Sequence, residues 1–121
     1  MSSHTVYTLY HNPRCSKSRQ ALQLLEDKGI EPRIVRYLDD PPDEATLREL
    51  VRKLGLPRAH DLVRTKEKEY REAGLSKESD DDTVIRAIHQ YPKLLERPVL
   101  VAGERAVIGR PPENVLDLTG A

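Results

Sequence analysis

A single cysteine, no phenylalanine, no tryptophan and a net charge of zero narrow what this chain of 121 residues can do. One cysteine excludes an internal disulfide framework, a thiolate-only zinc site and any dithiol switch within the chain. With five tyrosines as the only aromatics apart from histidine, the core must be packed by Leu, Val, Ile and Ala. Charged residues make up 33% of the chain, but twenty Lys and Arg balance twenty Asp and Glu. That balance argues against broad non-specific binding of nucleic acid or membrane, while leaving room for a local basic site. No apolar run approaches the roughly 20 residues that span a bilayer. Met1 to Tyr10 lacks the basic-then-apolar order of a secretory signal. The expected compartment is therefore a reducing cytoplasm, where one thiol stays free. Six glycines are scattered at turns, so there is no glycine-rich phosphate loop.

What is present fits one domain, long enough to bury roughly two-thirds of its unfolded surface without a staple. Val6 to Tyr10 reads as a strand that ends at the turn His11-Asn12-Pro13. From Ser16 to Lys28, Ala21, Leu22, Leu24 and Leu25 fall at helical spacing, with Ser16 and Ser18 suited to the start and Gly29 to the stop. Ile34, Val35 and Tyr37 form a second strand, broken by Asp40-Pro41-Pro42. Asp43 to Leu54 is amphipathic, with Leu47, Leu50, Val51 and Leu54 at i, i+3, i+4 and i+7. Residues 58 to 78 read as short helical pieces. Asp82 to Tyr91 is a helix with Val84, Ile85 and Ile88 on one face and Asp80-Asp81-Asp82 at its positive end. Pro98 opens a strand, Val99 to Ala102, and Arg105 to Ile108 is its hairpin partner across Gly103-Glu104. Pro111 and Pro112 lead into a last helix to about Leu118. A βαβ unit followed by a ββα unit predicts an α/β, thioredoxin-like fold: a mixed four-stranded sheet with flanking helices, and a helical insertion over about 41 to 95.

Cys15 sits where a proline-containing loop hands over to a helix, in His11-Asn12-Pro13-Arg14-Cys15-Ser16-Lys17-Ser18-Arg19. A thiolate, not a thiol, is the nucleophile, and a helix N-terminus supplies unpaired N–H donors and partial positive charge to stabilise it. Arg14, Lys17 and Arg19 add nearby cations. Such surroundings lower a thiol from about 8.5 to roughly 3.5–7.5, and two units of that are about 2.7 kcal/mol. A lone cytosolic cysteine is otherwise most often a small buried hydrophobe, but this position favours reactivity. His11 can tune the sulfur, cap the loop or simply face solvent. Ser18 stands where a dithiol oxidoreductase has its second cysteine; it can donate a hydrogen bond to a thiolate but cannot resolve a disulfide. A second thiol must come from outside. His4, His60 and His89 have no metal-ligand spacing and are read as surface residues, and no metal site is expected.

Tyr10-His11-Asn12-Pro13-x-Cys15-x-x-Ser18-Arg19 and Tyr37-Leu38-x-x-Pro41-Pro42 resemble the ArsC arsenate reductase family. So do Leu62-Val63-Arg64, Glu69-Tyr70, Pro92-x-Leu94-Leu95-x-Arg97-Pro98 and Gly109-Arg110-Pro111-Pro112-Glu113. The resemblance covers roughly residues 5 to 118 and is nearest to the YfgD-like branch. It implies a single thioredoxin-like domain over 1–121, and Cys15 as the nucleophile toward an oxyanion held by Arg64, Arg97 and Arg110. His11, Asn12 and Ser18 would support the site, with Pro98 cis and close to the sulfur. It further implies arsenate as substrate, glutathione as cosubstrate and glutaredoxin as partner. No bound cofactor, nucleic-acid partner or membrane is expected, and a monomer is the default state. Where well-studied members have Gly and Thr after the cysteine, this chain has Ser16 and Lys17, and Arg14 replaces a small residue. These extra cations can strengthen anion binding or mark a different substrate. Two other readings stay open: a Spx-type regulator that binds RNA polymerase, and a monothiol reductase or deglutathionylase of another substrate.

Overall fold

The computed structural model describes residues 6–119. The chain divides into two compact units, one made of residues up to Tyr37 and from Arg97 onward, the other of Leu38–Glu96.

In the first unit, β1 (Tyr7–Tyr10), β2 (Arg33–Val35), β3 (Val99–Ala102) and β4 (Arg105–Ile108) form one sheet in the order β2-β1-β3-β4. β1 runs parallel to β2 and antiparallel to β3, which pairs antiparallel with β4. The sheet is therefore mixed, and βαβ followed by ββα is the thioredoxin-like order. Register aligns Leu9, Leu100 and Val107 across three strands, so these side chains share one face. Helix α1 (Ser16–Asp27) and a 3-10 helix, Pro112–Leu118, cover that face. Leu9, Leu100, Ala21, Leu25 and Val115 are all fully buried there, each large aliphatic contributing about 1.5–3 kcal/mol.

Helix α1 buries Ser18, Ala21 and Leu25, the i, i+3, i+7 face of a helix. It stops because Gly29 takes φ +77°, a conformation that costs glycine little, while Gly29 N–H donates to Glu26 O and Ile30 N–H to Leu25 O. The second strand is shorter than its sequence pattern suggests: β2 ends at Val35, whose carbonyl accepts from His11 N–H, and Tyr37 lies in the following turn, buried. The last helix has 3-10 geometry, with Asn114 N–H donating to Pro111 O.

In the second unit, α2 (Glu44–Leu54) is capped by Asp43, whose carboxylate accepts from Thr46 N–H at 2.8 Å. Residues 58 to 78 resolve into a 3-10 helix, Ala59–Leu62, and the short α3 (Lys68–Glu72). Helix α4 (Asp81–Gln90) begins one residue before its expected start. Its three aspartates do different things: Asp80 caps Thr83 N–H at 2.8 Å, Asp81 accepts from Ala59 N–H at 3.0 Å, and Asp82 pairs with Arg48 at 2.8 Å. Leu47, Leu50, Leu62, Val84, Ile85, Ile88, Leu94 and Leu95 are each no more than 2% exposed and form the apolar interior of this unit. Among the described residues no helix is long and apolar enough to cross a membrane.

Candidate active site

The site grows out of the turn between β1 and α1. Asn12 builds it: its side-chain oxygen accepts from Arg14 N–H at 3.0 Å and its carbonyl from Cys15 N–H at 2.9 Å. Its own N–H donates to the Ser18 hydroxyl at 3.4 Å. This folding places Cys15, with extended backbone, as the N-cap of α1. The backbone N–H groups of Lys17 and Ser18 at this helix start favour the anionic form of a sulfur that stands where other helices have a capping oxygen. The capping positions expected of Ser16 and Ser18 are not used: Cys15 is the N-cap, and the Ser18 hydroxyl accepts from Asn12 N–H instead. Ser18 reaches the sulfur through its backbone N–H, and its side chain is fully buried on the core face of α1.

Burial of Cys15 pushes its thiol up. The N–H bonds from Ser18 and Lys17, with a hydrogen bond and the charge of Arg97, outweigh that and hold the thiol below its ordinary range. Arg110 approaches too, its Nη2 standing 3.7 Å from the sulfur. The cations adjacent in sequence do not do this. Arg14 and Lys17 are exposed, and Arg19 donates to Pro13 O at 2.9 Å, bracing the loop. Side chains at a helix start splay outward, so the positive charge comes instead from residues more than eighty positions away. Arg97 precedes β3 and Arg110 follows β4; pairing of these strands, with Val99 opposite Ile108, brings their bases together. Arg110 Nε donates to Arg97 O at 2.7 Å. The Arg97–Pro98 peptide is cis, as the resemblance implies, and so is Arg110–Pro111.

His11 is 5% exposed, not solvent-facing, and its Nδ1 has no hydrogen-bond partner. Burial first, then the charges of Arg36 and Arg19, lower its pKa and so disfavour the imidazolium. Arg36 had no signal in the sequence beyond its place after a strand.

Arg64 belongs to the second unit. Its Nε lies 3.3 Å from Glu67 and its Nη1 3.2 Å from Glu96, all three side chains about three-quarters buried. The Leu62-Val63-Arg64 segment is laced to Leu94-Leu95-Glu96: Val63 bridges Leu95, Arg64 N–H donates to Leu94 O, and Glu96 N–H to Leu62 O. Of the histidines read as surface residues, His89 is exposed, its ring nitrogen 2.9 Å from Pro42 O. His60 is not a surface residue: half-buried, it bonds the Tyr70 hydroxyl at 2.7 Å with the two rings edge to face. His4 lies outside the described residues.

Residues 10–118 match the sequence profile of the ArsC family. The chain is 49% identical to an arsenate reductase of Neisseria meningitidis serogroup A over 108 residues, 88% of this chain and 92% of that protein. It is 50% identical to the YfgD protein of Escherichia coli K12 over 113 residues, 93% and 95% of the two chains. Among solved structures, an arsenate reductase from Vibrio cholerae superposes with a TM-score of 0.90 at 41% identity, covering 95% of this chain and 98% of that one.

Proposed function

The chain belongs to the ArsC family, and on that premise we propose that it reduces arsenate to arsenite through a covalent adduct on Cys15. The observation that carries this reading is the convergence of a helix N-terminus, Arg97 and Arg110 on one sulfur. Backbone N–H groups and guanidinium charge favour the thiolate, and the same charge offsets its repulsion of an anionic substrate. Guanidinium forks also match the oxygens of a tetrahedral oxyanion.

In the proposed cycle the Cys15 thiolate bonds to arsenic, and one arsenate oxygen leaves as water after taking up protons. The sulfur of glutathione then bonds to Cys15 Sγ. The S–As bond breaks with its electron pair going to arsenic, which falls from the pentavalent to the trivalent state. The two sulfurs are oxidised to a mixed disulfide. A glutaredoxin thiol takes the glutathionyl group and restores Cys15. Glutathione and glutaredoxin supply the thiols that a one-cysteine chain lacks, in a reducing cytoplasm. No bound cofactor is needed, because both electrons come from thiols. Arg64 belongs to the proposal as the third oxyanion ligand that the resemblance assigns, and Arg64→Ala tests it.

The experiment is arsenate-dependent NADPH oxidation with glutathione, glutaredoxin and glutathione reductase, beside a Cys15→Ser control. Turnover that disappears in the control is the expected result. No turnover from protein whose Cys15 is still rapidly alkylated at pH 7 would remove arsenate and leave a monothiol reductase or deglutathionylase. A Cys15 that titrated as an ordinary thiol would favour the Spx-type binding role.

A further inference from the structure

Arg110 reaches Cys15 from an irregular segment, between the end of β4 at Ile108 and the 3-10 helix that starts at Pro112. A long side chain rooted there keeps one direction only if its backbone is held. Gly109 N–H donates to Pro98 O at 2.8 Å. A Cβ at Gly109 would stand 2.8 Å from Pro98 Cγ and 3.0 Å from Val115 Cγ1, so the segment is pressed against the turn before β3. Arg110 Nε, bonded to Arg97 O at 2.7 Å, sets the plane of the guanidinium. The carbonyls on either side of Gly109, those of Ile108 and Arg110, share one side chain. Asn114 Nδ2 lies 3.1 Å from Arg110 O and 3.5 Å from Ile108 O, and the Asn114 N–H is itself tied to Pro111 O at 3.0 Å.

We infer that Asn114 is a positioning residue for Arg110: its amide clamps the backbone on both sides of Gly109 so that the Arg110 guanidinium stays on the Cys15 sulfur and on the oxyanion bound there. An amide suits the task because both its hydrogens can be given to carbonyls at once. The Asn114 amide bonds the backbone of the segment and not the sulfur, so it acts through Arg110. The part concerning the oxyanion rests on the reading under Proposed function; the part concerning the sulfur does not.

The test uses the full chain with Asn114→Leu, which keeps the volume and removes the donor, and Asn114→Asp, which keeps the shape and turns the donor into an acceptor. Each is measured for the pH dependence of Cys15 alkylation by iodoacetamide and for the arsenate KM and kcat, in the native and in an Arg110→Ala background. Both variants are expected to move the alkylation profile to higher pH. They should also raise the arsenate KM about tenfold, the scale of a lost positioning contact. In the Arg110→Ala background Asn114→Leu should add almost nothing, because the group it positions is gone. Equal effects in both backgrounds, an unchanged profile and KM in folded variants, or failure of both variants to fold would overturn the inference. If the native protein turned over no arsenate, the alkylation arm would still decide it.

Discussion

Cys15 collects its partners from both ends of the chain: N–H groups from Lys17 and Ser18, and guanidinium groups from Arg97 and Arg110. The sequence near position 15 shows half of this, since a proline-containing loop running into a helix is a local signal. The other half is not local. Among thirteen arginines, Arg97 and Arg110 differ in sequence only by a following proline, and their meeting depends on the register of β3 with β4. Arg14 and Lys17 mislead for the same reason, because nearness in sequence at a helix start does not aim a side chain at the cap. Asn114 carries no signal except its place four residues after Arg110. The direction of the thiol pKa makes a prediction at this scale. Arg97→Ala removes both a hydrogen bond and a charge that favour the thiolate. Its alkylation profile should therefore shift to higher pH and its rate at pH 7 should fall, as measured by stopped-time labelling with iodoacetamide. An unchanged profile would mean that the helix N-terminus and Arg110 ionise the sulfur without Arg97.

At the scale of elements, the readings hold where a residue type punctuates the chain. Pro98 and the Gly103-Glu104 turn delimit β3 and β4 to the residue, and Asp43 and Asp80 cap α2 and α4. They are least precise where punctuation is weak. Tyr37 continues an apolar pattern that the hydrogen-bond ladder has already left, and residues 58 to 78 are too polar to show a period. Bonds from Thr83, side chain then backbone, hold the Asp80 carboxyl below its ordinary range. A depressed carboxyl contributes stability that is present above the ordinary aspartate pKa and lost as pH falls through the folded one. Asp80→Ala should therefore lower the urea midpoint at neutral pH without changing the slope, and the difference should vanish in acid. Gly109→Ala should cost about 1–3 kcal/mol, the range for overpacking, because its Cβ meets the ring of Pro98 and the Val115 side chain. Equilibrium urea unfolding checks both.

For the whole molecule, the single thiol and the balanced charge set the terms of its chemistry. A chain with one cysteine cannot form a disulfide within itself, so every disulfide it makes is shared with another thiol. Diamide treatment without glutathione should give a covalent dimer on a non-reducing gel, absent from Cys15→Ser, and no compacted monomer. The central claim, that Cys15 carries arsenic and then glutathione, is tested most directly by a single turnover of reduced protein with arsenate and glutathione, with glutaredoxin omitted. Arsenite would be quantified and the protein mass read in the same sample. The account predicts arsenite in step with chains glutathionylated at Cys15. Arsenite released equally by Cys15→Ser, or none released while Cys15 remains fully alkylatable, would contradict it.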